Sequence, residues 1–213
     1  MSRKRHWDDV YSTRRIDEVS WFQPHATLSR DLIADALTDR TAAILDVGGG
    51  ASPLAGDLLQ AGYSNVTVLD LAAPALAHAR QHLGANGHLV RWIVGDVLHL
   101  PLRWGSIGLW HDRAVFHFLT QARDRERYVA EVRRTVRSGG LVLVATFAAD
   151  GPSRCSGLPV ARYSPDQLHA AFDGDFELLA SRREEHRTPA GVLQPFTYCL
   201  CRYEPKQGSR AAG

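Results

Sequence analysis

The sequence has few lysines, few cysteines and no long apolar run. Lys4 and Lys206 are the only lysines among 213 residues, so arginine carries most of the positive charge, a bias that we attribute to genome composition. The longest apolar runs, such as 141–145, are far too short for a transmembrane helix. No apolar stretch follows the basic residues near Met1, which predicts that the chain has no secretory signal.

The charge balance and the cysteines exclude further classes of protein. The formal net charge of +2 is too small to predict nucleic acid or an anionic membrane as the main partner. Cys155, Cys199 and Cys201 are an odd number without a disulfide framework, which favours a reducing, cytoplasmic location. Cys199 and Cys201 alternate along a predicted strand; we interpret them as small buried residues and expect no metal.

From residue 42 onward, short apolar runs alternate with segments of helical periodicity. Strands that alternate with helices at this spacing form right-handed βαβ units. The fold class is therefore α/β, with a doubly wound, mostly parallel sheet. The pattern predicts strands over 42–47, 66–70, 90–94, 106–110 and 141–147, and helices over 52–61, 74–83 and 123–136.

The C-terminal part departs from this alternation. Two further strands are predicted over 176–181 and 195–203, joined by a polar, hairpin-like connection over 182–194. The sheet is therefore expected to have seven strands and to end in an antiparallel pair. Within the connection, 184–187 is interpreted as a solvated rim, and 204–213 is expected to be a flexible tail.

The segment before the first strand is rich in aromatic residues. A helix is predicted over 29–37, and the residues ahead of it either pack on the sheet edge or cover the ligand site; the sequence leaves both arrangements open. We expect 1–40 to act as a helical lid on a single domain over 1–203. The aromatic residues concerned are Trp7, Tyr11, Trp21 and Phe22.

A glycine-rich loop follows the first predicted strand. Asp46 precedes Gly48, Gly49 and Gly50 at the turn from strand to helix. Glycines at that position let the backbone approach a ligand, and the helix N-terminus offers free N–H groups. Asp70 ends the second strand, where an acid accepts hydrogen bonds from ribose hydroxyls. The pair indicates a cofactor that contains a nucleoside.

The residues around this loop distinguish between nucleoside cofactors. A dinucleotide fingerprint needs a glycine at position 53, where this chain has Pro53. Asp46, ahead of the glycines, is also unlike the loop of dehydrogenases and suits a positively charged amino-acid group. These features favour S-adenosylmethionine over a nicotinamide dinucleotide.

Five segments resemble the motifs of class I S-adenosylmethionine-dependent methyltransferases in order and spacing, and the resemblance covers about residues 42–148. In that family the glycine loop lies along the methionine part of the cofactor. The acid after the second strand holds the ribose, and the acid of the third motif accepts from the adenine amino group, with the next residue stacking nearby. The segments are 46–50, 68–71, 95–97, 110–113 and 136–140. The resemblance implies cofactor-binding roles for Asp46, Gly48, Gly50, Asp70, Leu71, Asp96 and Val97.

The N-terminal segment carries resemblances to two subgroups of this family. Segments 7–11 and 18–22 are similar to those of methyltransferase-like protein-lysine methyltransferases. The opening segment 6–11 is equally similar to that of small thiol, halide and thiopurine methyltransferases. By this resemblance, Tyr11 and Trp21 close over the cofactor. Where the lysine methyltransferases commonly have acid-Lys-Gly, this chain has 112–114 as Asp-Arg-Ala.

The segment after the fourth strand lines the floor of the methyl-transfer site in this family, which makes its residues catalytic candidates. His111, Asp112 and His117 could each serve as a general base, and Arg113 could anchor an anion or carboxylate. We hypothesise that one of the two histidines is the base; the alternative is that they are satisfied buried residues. Connections 152–160 and 182–194 are expected to shape the pocket. Cys155 is interpreted as part of a plain surface turn, and the alternative is that it touches the substrate.

Three functions remain open on the sequence alone. The leading hypothesis is a methyltransferase acting on a small-molecule thiol, amine or hydroxyl acceptor. The alternatives are a protein-lysine methyltransferase and a catalytically silent cofactor-binding scaffold. The sequence does not indicate the acceptor or the oligomeric state.

Overall fold

A seven-stranded β-sheet organises residues 2–206, the part of the chain that the computed structural model describes. The strands are β1 (Ile44–Val47), β2 (Val66–Asp70), β3 (Val90–Val94), β4 (Ile107–Arg113), β5 (Val136–Phe147), β6 (Phe176–Arg187) and β7 (Leu193–Tyr203). They lie in the order β3-β2-β1-β4-β5-β7-β6. The first five are parallel, and β7 runs antiparallel to both β5 and β6. The predicted fold class and the antiparallel C-terminal pair are confirmed.

Helices cover both faces of the sheet. They are α1 (Arg3–Thr13), α2 (Thr27–Ala36), α3 (Leu54–Gln60), α4 (Ala73–Leu83), α5 (Ala122–Thr135) and α6 (Pro165–Ala170). Ile33 of α2 and Leu58 of α3 pack into the core on one face, whereas Tyr128 and Val132 of α5 pack into the core on the other. Within residues 2–206, no helix is both long enough and apolar enough to cross a membrane.

The point at which the strand order reverses lies between β1 and β4. Every residue of β1 and β2 is buried, as expected for central parallel strands that carry helices on both faces. In open α/β sheets, ligands bind beyond the carboxyl ends of the strands at such a reversal. The glycine loop, Asp70 and the end of β4 all lie at this edge.

The structure differs from the prediction in the C-terminal hairpin. The polar stretch 182–194 is not a long connection: β6 continues to Arg187 and β7 begins at Leu193, so that only 188–192 form the turn. Phe147 at the end of β5 pairs with Phe196, and the pairs from Glu185 with Pro195 to Arg187 with Leu193 continue the β6–β7 ladder beyond it. Polar composition misleads here because an antiparallel strand at a sheet edge tolerates polar side chains. The tail predicted over 204–213 lies mostly outside the described residues.

Candidate active site

A cavity opens at the carboxyl edge of the sheet and extends across the reversal point. Its walls come from α1, the glycine loop, the ends of β2, β3 and β4, and the loop after β5. The lining residues are Arg3, Trp7, Tyr11, Trp21, Val47, Gly48, Leu69, Asp70, Leu71, Gly95, Asp96, Val97, Arg113, Ala114, Val115, Phe118, Leu119 and Cys155. We compared this cavity with the cofactor residues predicted from the sequence. All of the following residues except Gly50 line the cavity: Gly48, Gly50, Asp70, Leu71, Asp96 and Val97.

The glycine loop keeps the backbone close to this cavity. Gly48 and Gly50 adopt φ values of +62° and +41°, which side chains of L-residues rarely adopt. A Cβ atom on Gly50 would lie 2.8 Å from Tyr11 Oη and 2.9 Å from Asp70 Oδ2, and one on Gly48 would overlap Val115. Glycine is therefore required both by conformation and by space. The loop brings its peptide groups within reach of a ligand that contacts Asp70.

Asp70 presents a buried carboxylate at the end of β2. Its Oδ1 accepts a hydrogen bond of 2.8 Å from the Ala72 amide, while Oδ2 lies on the side of Tyr11 and Gly50. Burial raises the pKa of Asp70 to about 7, and the charge of Asp46 adds to the rise. A buried acid with an elevated pKa in a cavity is typical of a functional site. The group is suited to accepting hydrogen bonds from ligand hydroxyls.

Asp46 and His111 form a polar cluster behind the glycine loop. His111 Nδ1 lies 2.7 Å from Asp46 Oδ1, and His111 Nε2 lies 2.9 Å from Ser29 Oγ of α2. Asp46 and His111 are each about 2% exposed, and neither lines the cavity. Both ring nitrogens of His111 therefore have partners. Asp46 Oδ2 is buried without a hydrogen-bond partner within residues 2–206.

Asp112 supports the turn that follows β4. Its Oδ1 accepts from the Val115 amide at 2.8 Å, and its Oδ2 accepts from the Phe116 amide at 3.0 Å and from Tyr128 Oη at 2.6 Å. Burial raises the pKa of Asp112 to about 6, against the opposing effect of these hydrogen bonds. The residue has no exposed surface and does not line the cavity. Its geometry is that of a structural carboxylate.

His117 is also enclosed by protein. Its Nδ1 accepts a long hydrogen bond of 3.4 Å from the Phe147 amide, and its ring packs edge-on against Phe118. Burial, together with the nearby charge of Arg113, lowers the pKa of His117 to about 3, so the ring is neutral at physiological pH. It does not line the cavity. Of the four residues predicted to be catalytic, the structure brings only Arg113 to the cavity wall.

Arg113 belongs to a cluster that joins β4 to the C-terminal hairpin. Its Nη2 lies 2.9 Å from Glu184 Oε2, and its Nε lies 2.9 Å from Tyr198 Oη. Its guanidinium carbon lies 4.1 Å from the ring centre of Phe196. Glu184 Oε1 accepts a further bond of 2.8 Å from Gln23. Burial favours neutral Glu184, but the charge of Arg113 and these hydrogen bonds lower the pKa of Glu184 below its usual value.

The N-terminal segment forms the aromatic wall of the cavity. The Trp7 ring packs edge-on against Trp21 at 5.6 Å and against Phe118 at 5.2 Å between ring centres. Tyr11 is buried and lies against α4, where its carbonyl is 3.2 Å from His78 Nε2. The sequence left open whether this segment packs on the sheet edge or covers the ligand site. The structure places it over the carboxyl edge of the sheet, along the cavity.

For two residues near this site, the sequence interpretation favoured an exposed environment, and the structure shows that both are largely buried. Glu184 is only 15% exposed and paired with Arg113, not part of a solvated rim. Cys155 is 5% exposed and lines the cavity, not part of a surface turn. Burial raises the pKa of Cys155 to about 12, so the thiol is protonated. Residues 182–187 are polar throughout, so no alternation of polar and apolar side chains marked Glu184 as a buried residue.

Comparison with known proteins assigns the site to a family. A family model described as a methyltransferase domain matches residues 45–144, the stretch that holds the glycine loop, Asp70 and the β4 end. Residues 45–144 form a class I S-adenosylmethionine-dependent methyltransferase domain. The cofactor of this domain is S-adenosylmethionine. The glycine cradle and the buried Asp70 carboxylate fit the amino-acid and ribose parts of that cofactor.

The relatives of this methyltransferase domain have names that give different methyl acceptors. The malonyl-(acyl-carrier protein) O-methyltransferase of Pectobacterium atrosepticum is 32% identical over 113 residues, which cover 53% of this chain and 42% of that protein. The chain thus spans less than half the length of this relative. The human EEF1A lysine methyltransferase 2 is 21% identical over 207 residues, covering 89% of this chain and 78% of that protein.

A solved structure shares the whole fold of the domain. The 1,6-didemethyltoxoflavin-N1-methyltransferase of Burkholderia thailandensis, with 1,6-didemethyltoxoflavin and S-adenosylhomocysteine bound, matches with a TM-score of 0.66 at 22% identity. The match covers 95% of this chain and 84% of that one. At this level of identity the likeness shows the fold alone.

Proposed function

We propose that the chain transfers a methyl group from S-adenosylmethionine to a small-molecule acceptor. The observation that carries this proposal is a single cavity that holds Asp70 and Asp96 at one end and Arg113 at the other, under an aromatic wall from α1. The first end suits a nucleoside and the second suits an acceptor. Trp7, packed on Trp21 and Phe118, excludes water between them.

Bound S-adenosylmethionine supplies an electrophilic methyl group on a positively charged sulfur. The protein's own task is to hold the ligands in line and to keep water out, an effect that in the best intramolecular reactions is worth about 7–11 kcal/mol. Asp70 accepts from the ribose hydroxyls, and the peptide groups around Gly48 hold the amino-acid part. Asp96 and Val97 bind the adenine end.

The acceptor in this proposal needs no general base from the protein. Within residues 2–206, no histidine lines the cavity; His111 and Asp112 are hydrogen-bonded inside the protein, and His117 is fully buried. An acceptor atom that is already ionised or unprotonated, such as a thiolate or a carboxylate oxygen, can attack without such a base. The name of the Pectobacterium relative, an O-methyltransferase, is consistent with an oxygen acceptor.

Calorimetric titration with S-adenosylhomocysteine and with NAD tests the cofactor half of the proposal. We expect micromolar affinity for S-adenosylhomocysteine and no measurable heat with NAD. Asp70→Asn should weaken S-adenosylhomocysteine binding at least tenfold, because the amide group replaces a charged acceptor for two hydroxyls. The control Asp150→Asn alters an exposed carboxylate far along the chain and should bind as the wild type does. Equal affinity of the Asp70→Asn variant would contradict the assignment.

Incubation with methyl-labelled S-adenosylmethionine and a cell lysate tests the acceptor half. We expect label in the low-mass fraction, both before and after macromolecules are removed by filtration. Protein-lysine methylation is the second candidate, supported by the likeness to the human EEF1A lysine methyltransferase 2 over 89% of the chain. Label on polypeptide, lost after filtration, would favour it. Tight cofactor binding without any transfer would favour a silent scaffold.

A further inference from the structure

Glu184 is engaged by protein donors and does not line the cavity. Its Oε2 accepts from Arg113 and, at 3.1 Å, from Tyr198 Oη, while its Oε1 accepts from Gln23. The carboxylate is therefore surrounded by donors from three parts of the chain. An amine or other cation entering the cavity finds no unpaired carboxylate at this end, since Asp70 and Asp96 lie at the nucleoside end.

Arg113, in contrast, has donors to spare. A guanidinium carries five N–H groups, and within the described residues the hydrogen bonds of Arg113 involve only Nε and Nη2. Within residues 2–206, Nη1 has no hydrogen-bond partner, and it is not among the fully buried unpaired nitrogens. The side chain is nonetheless only 9% exposed, and it lines both this cavity and a second one on the other side of Tyr11 and Trp21. Nη1 is therefore the atom that the cavities can reach.

The surroundings hold this donor in place. Glu184 and Tyr198 fix one edge of the guanidinium, and Phe196 covers one face at 4.1 Å. Their positions are set by neighbouring strands, β6 and β7, rather than by a loop. A preorganised, partly desolvated arginine binds a planar oxyanion more strongly than an exposed one, because little side-chain freedom is lost on binding.

The geometry points to a carboxylate-binding subsite at Nη1 of Arg113, which selects small apolar acceptors that carry a carboxylate. The rest of this end of the cavity is walled by Trp7, Trp21 and Phe118, which suit an apolar body. Glu184 and Tyr198 act as positioning residues for Arg113. This inference rests on the proposed function, because it assigns the acceptor end of the same cavity.

Calorimetry with three isosteric probes tests the subsite without any methyl transfer. Benzoate, benzamide and benzylamine are titrated into the protein saturated with S-adenosylhomocysteine. We expect benzoate to bind at least tenfold more tightly than benzamide, and benzylamine to give no measurable binding. Benzoate binding no tighter than benzamide, or any preference for benzylamine, would overturn the inference.

Variants then assign the effect to Arg113. Arg113→Gln should lower benzoate affinity at least tenfold, whereas affinity for S-adenosylhomocysteine should stay within threefold of the wild type. The matched control is Arg183→Gln. It removes the same charge from the residue directly before Glu184 in β6, where the side chain pairs with exposed Asp150. It should bind benzoate as the wild type does. Benzoate affinity unchanged by Arg113→Gln would overturn the assignment.

A second variant tests the subsite even if Arg113→Gln does not fold. Arg113→Gln leaves Glu184 as a partly buried charge without its partner, which can destabilise the fold. The double variant Arg113→Met, Glu184→Gln removes both charges together, and it should fold and also lose benzoate binding. Failure of the wild type to bind S-adenosylhomocysteine would instead contradict the proposed function. In that case, benzoate titrated into the protein alone would still measure carboxylate binding at Arg113.

Discussion

At the scale of single residues, Asp70 shows how a ligand site costs stability. Its carboxyl is enclosed by Gly50, Tyr11 and the Ala72 amide, and Asp46 lies close enough to repel its charge. A free acid in water would ionise near pH 4. In the folded protein, the pKa is about 7, so ionisation at neutral pH works against folding.

The first residue-scale prediction concerns Asp70→Asn. The folded-state pKa is raised above the unfolded value, so the wild type loses stability as pH rises from about 4 to about 7. Because the amide is always neutral and can accept the Ala72 hydrogen bond, the variant should be the more stable protein at pH 8. A shift of roughly three pH units corresponds to at most about 4 kcal/mol. The difference should shrink towards zero at pH 4, as measured by urea unfolding.

Asp150 provides a control of opposite sign. The hydrogen bond and charge of Arg183 lower the pKa of Asp150, so the ionised form stabilises the folded state above the unfolded pKa. Asp150→Asn should therefore be slightly less stable than the wild type at pH 8, with the difference vanishing at low pH. A pH-independent gain in the Asp70→Asn variant would be evidence against a raised pKa at that position.

At the scale of elements, Asp112 connects α5 to the turn after β4. Tyr128 of α5 donates to Asp112 Oδ2 at 2.6 Å and accepts from Trp110 Nε1 at 2.8 Å. All three side chains are fully buried. This network fixes Val115, which lines the cavity, and it explains why an acid stands at position 112 without reaching the ligand.

Tyr128→Phe tests this connection. Removal of the hydroxyl leaves a buried carboxylate oxygen and the Trp110 N–H each short of one partner, so the variant should lose about 1–3 kcal/mol of unfolding free energy. Tyr163→Phe is the matched control, since Tyr163 lies in the same core and its hydroxyl makes no hydrogen bond within residues 2–206. Urea unfolding should show a change below about 0.5 kcal/mol for the control. Equal losses in both variants would contradict the role of the network.

Periodicity predicted most elements, since buried strands and amphipathic helices carry their own pattern. The positions of β1, β2 and β3 along the chain and the place of Asp70 at the end of β2 followed from it, whereas Asp96 was identified by the family resemblance. The roles of His111 and Asp112 did not, because a motif position fixes where a residue stands but not which way its side chain points. The Arg113–Glu184 pair was beyond the sequence, because its partners are 71 residues apart and meet only when β7 pairs between β5 and β6.

At the scale of the whole molecule, the N-terminal segment and the C-terminal hairpin of β6 and β7 meet beside the cavity. Gln23 donates to Glu184 of β6, and His186 Nε2 lies 2.7 Å from the Ser20 carbonyl. Arg3 pairs with Asp124 of α5 at 2.6 Å. The N-terminal segment is therefore bonded to both α5 and the C-terminal hairpin, so ligand binding beneath it should affect the whole segment.

Amide hydrogen exchange measures this coupling. Because ligand binding beneath α1 opposes its local opening, S-adenosylhomocysteine at saturation should slow exchange across Arg3–Thr13 by at least fivefold. Exchange in the central part of β7, which is paired on both sides, should change little and serves as the internal control. Slower exchange confined to the glycine loop, with α1 unaffected, would show that α1 does not close over the ligand.

Helix α1 lies beside the cavity and the end of β7 lies away from it, which matters for anyone who handles this protein. The α1 helix begins at Arg3, beside the cavity, whereas β7 ends at Tyr203, paired with Phe176 at the far edge of the sheet. A purification tag or fluorescent fusion joined ahead of Arg3 would crowd the ligand entrance. Attachment after Tyr203 would leave it clear, and it is the better choice for surface immobilisation in a biosensor.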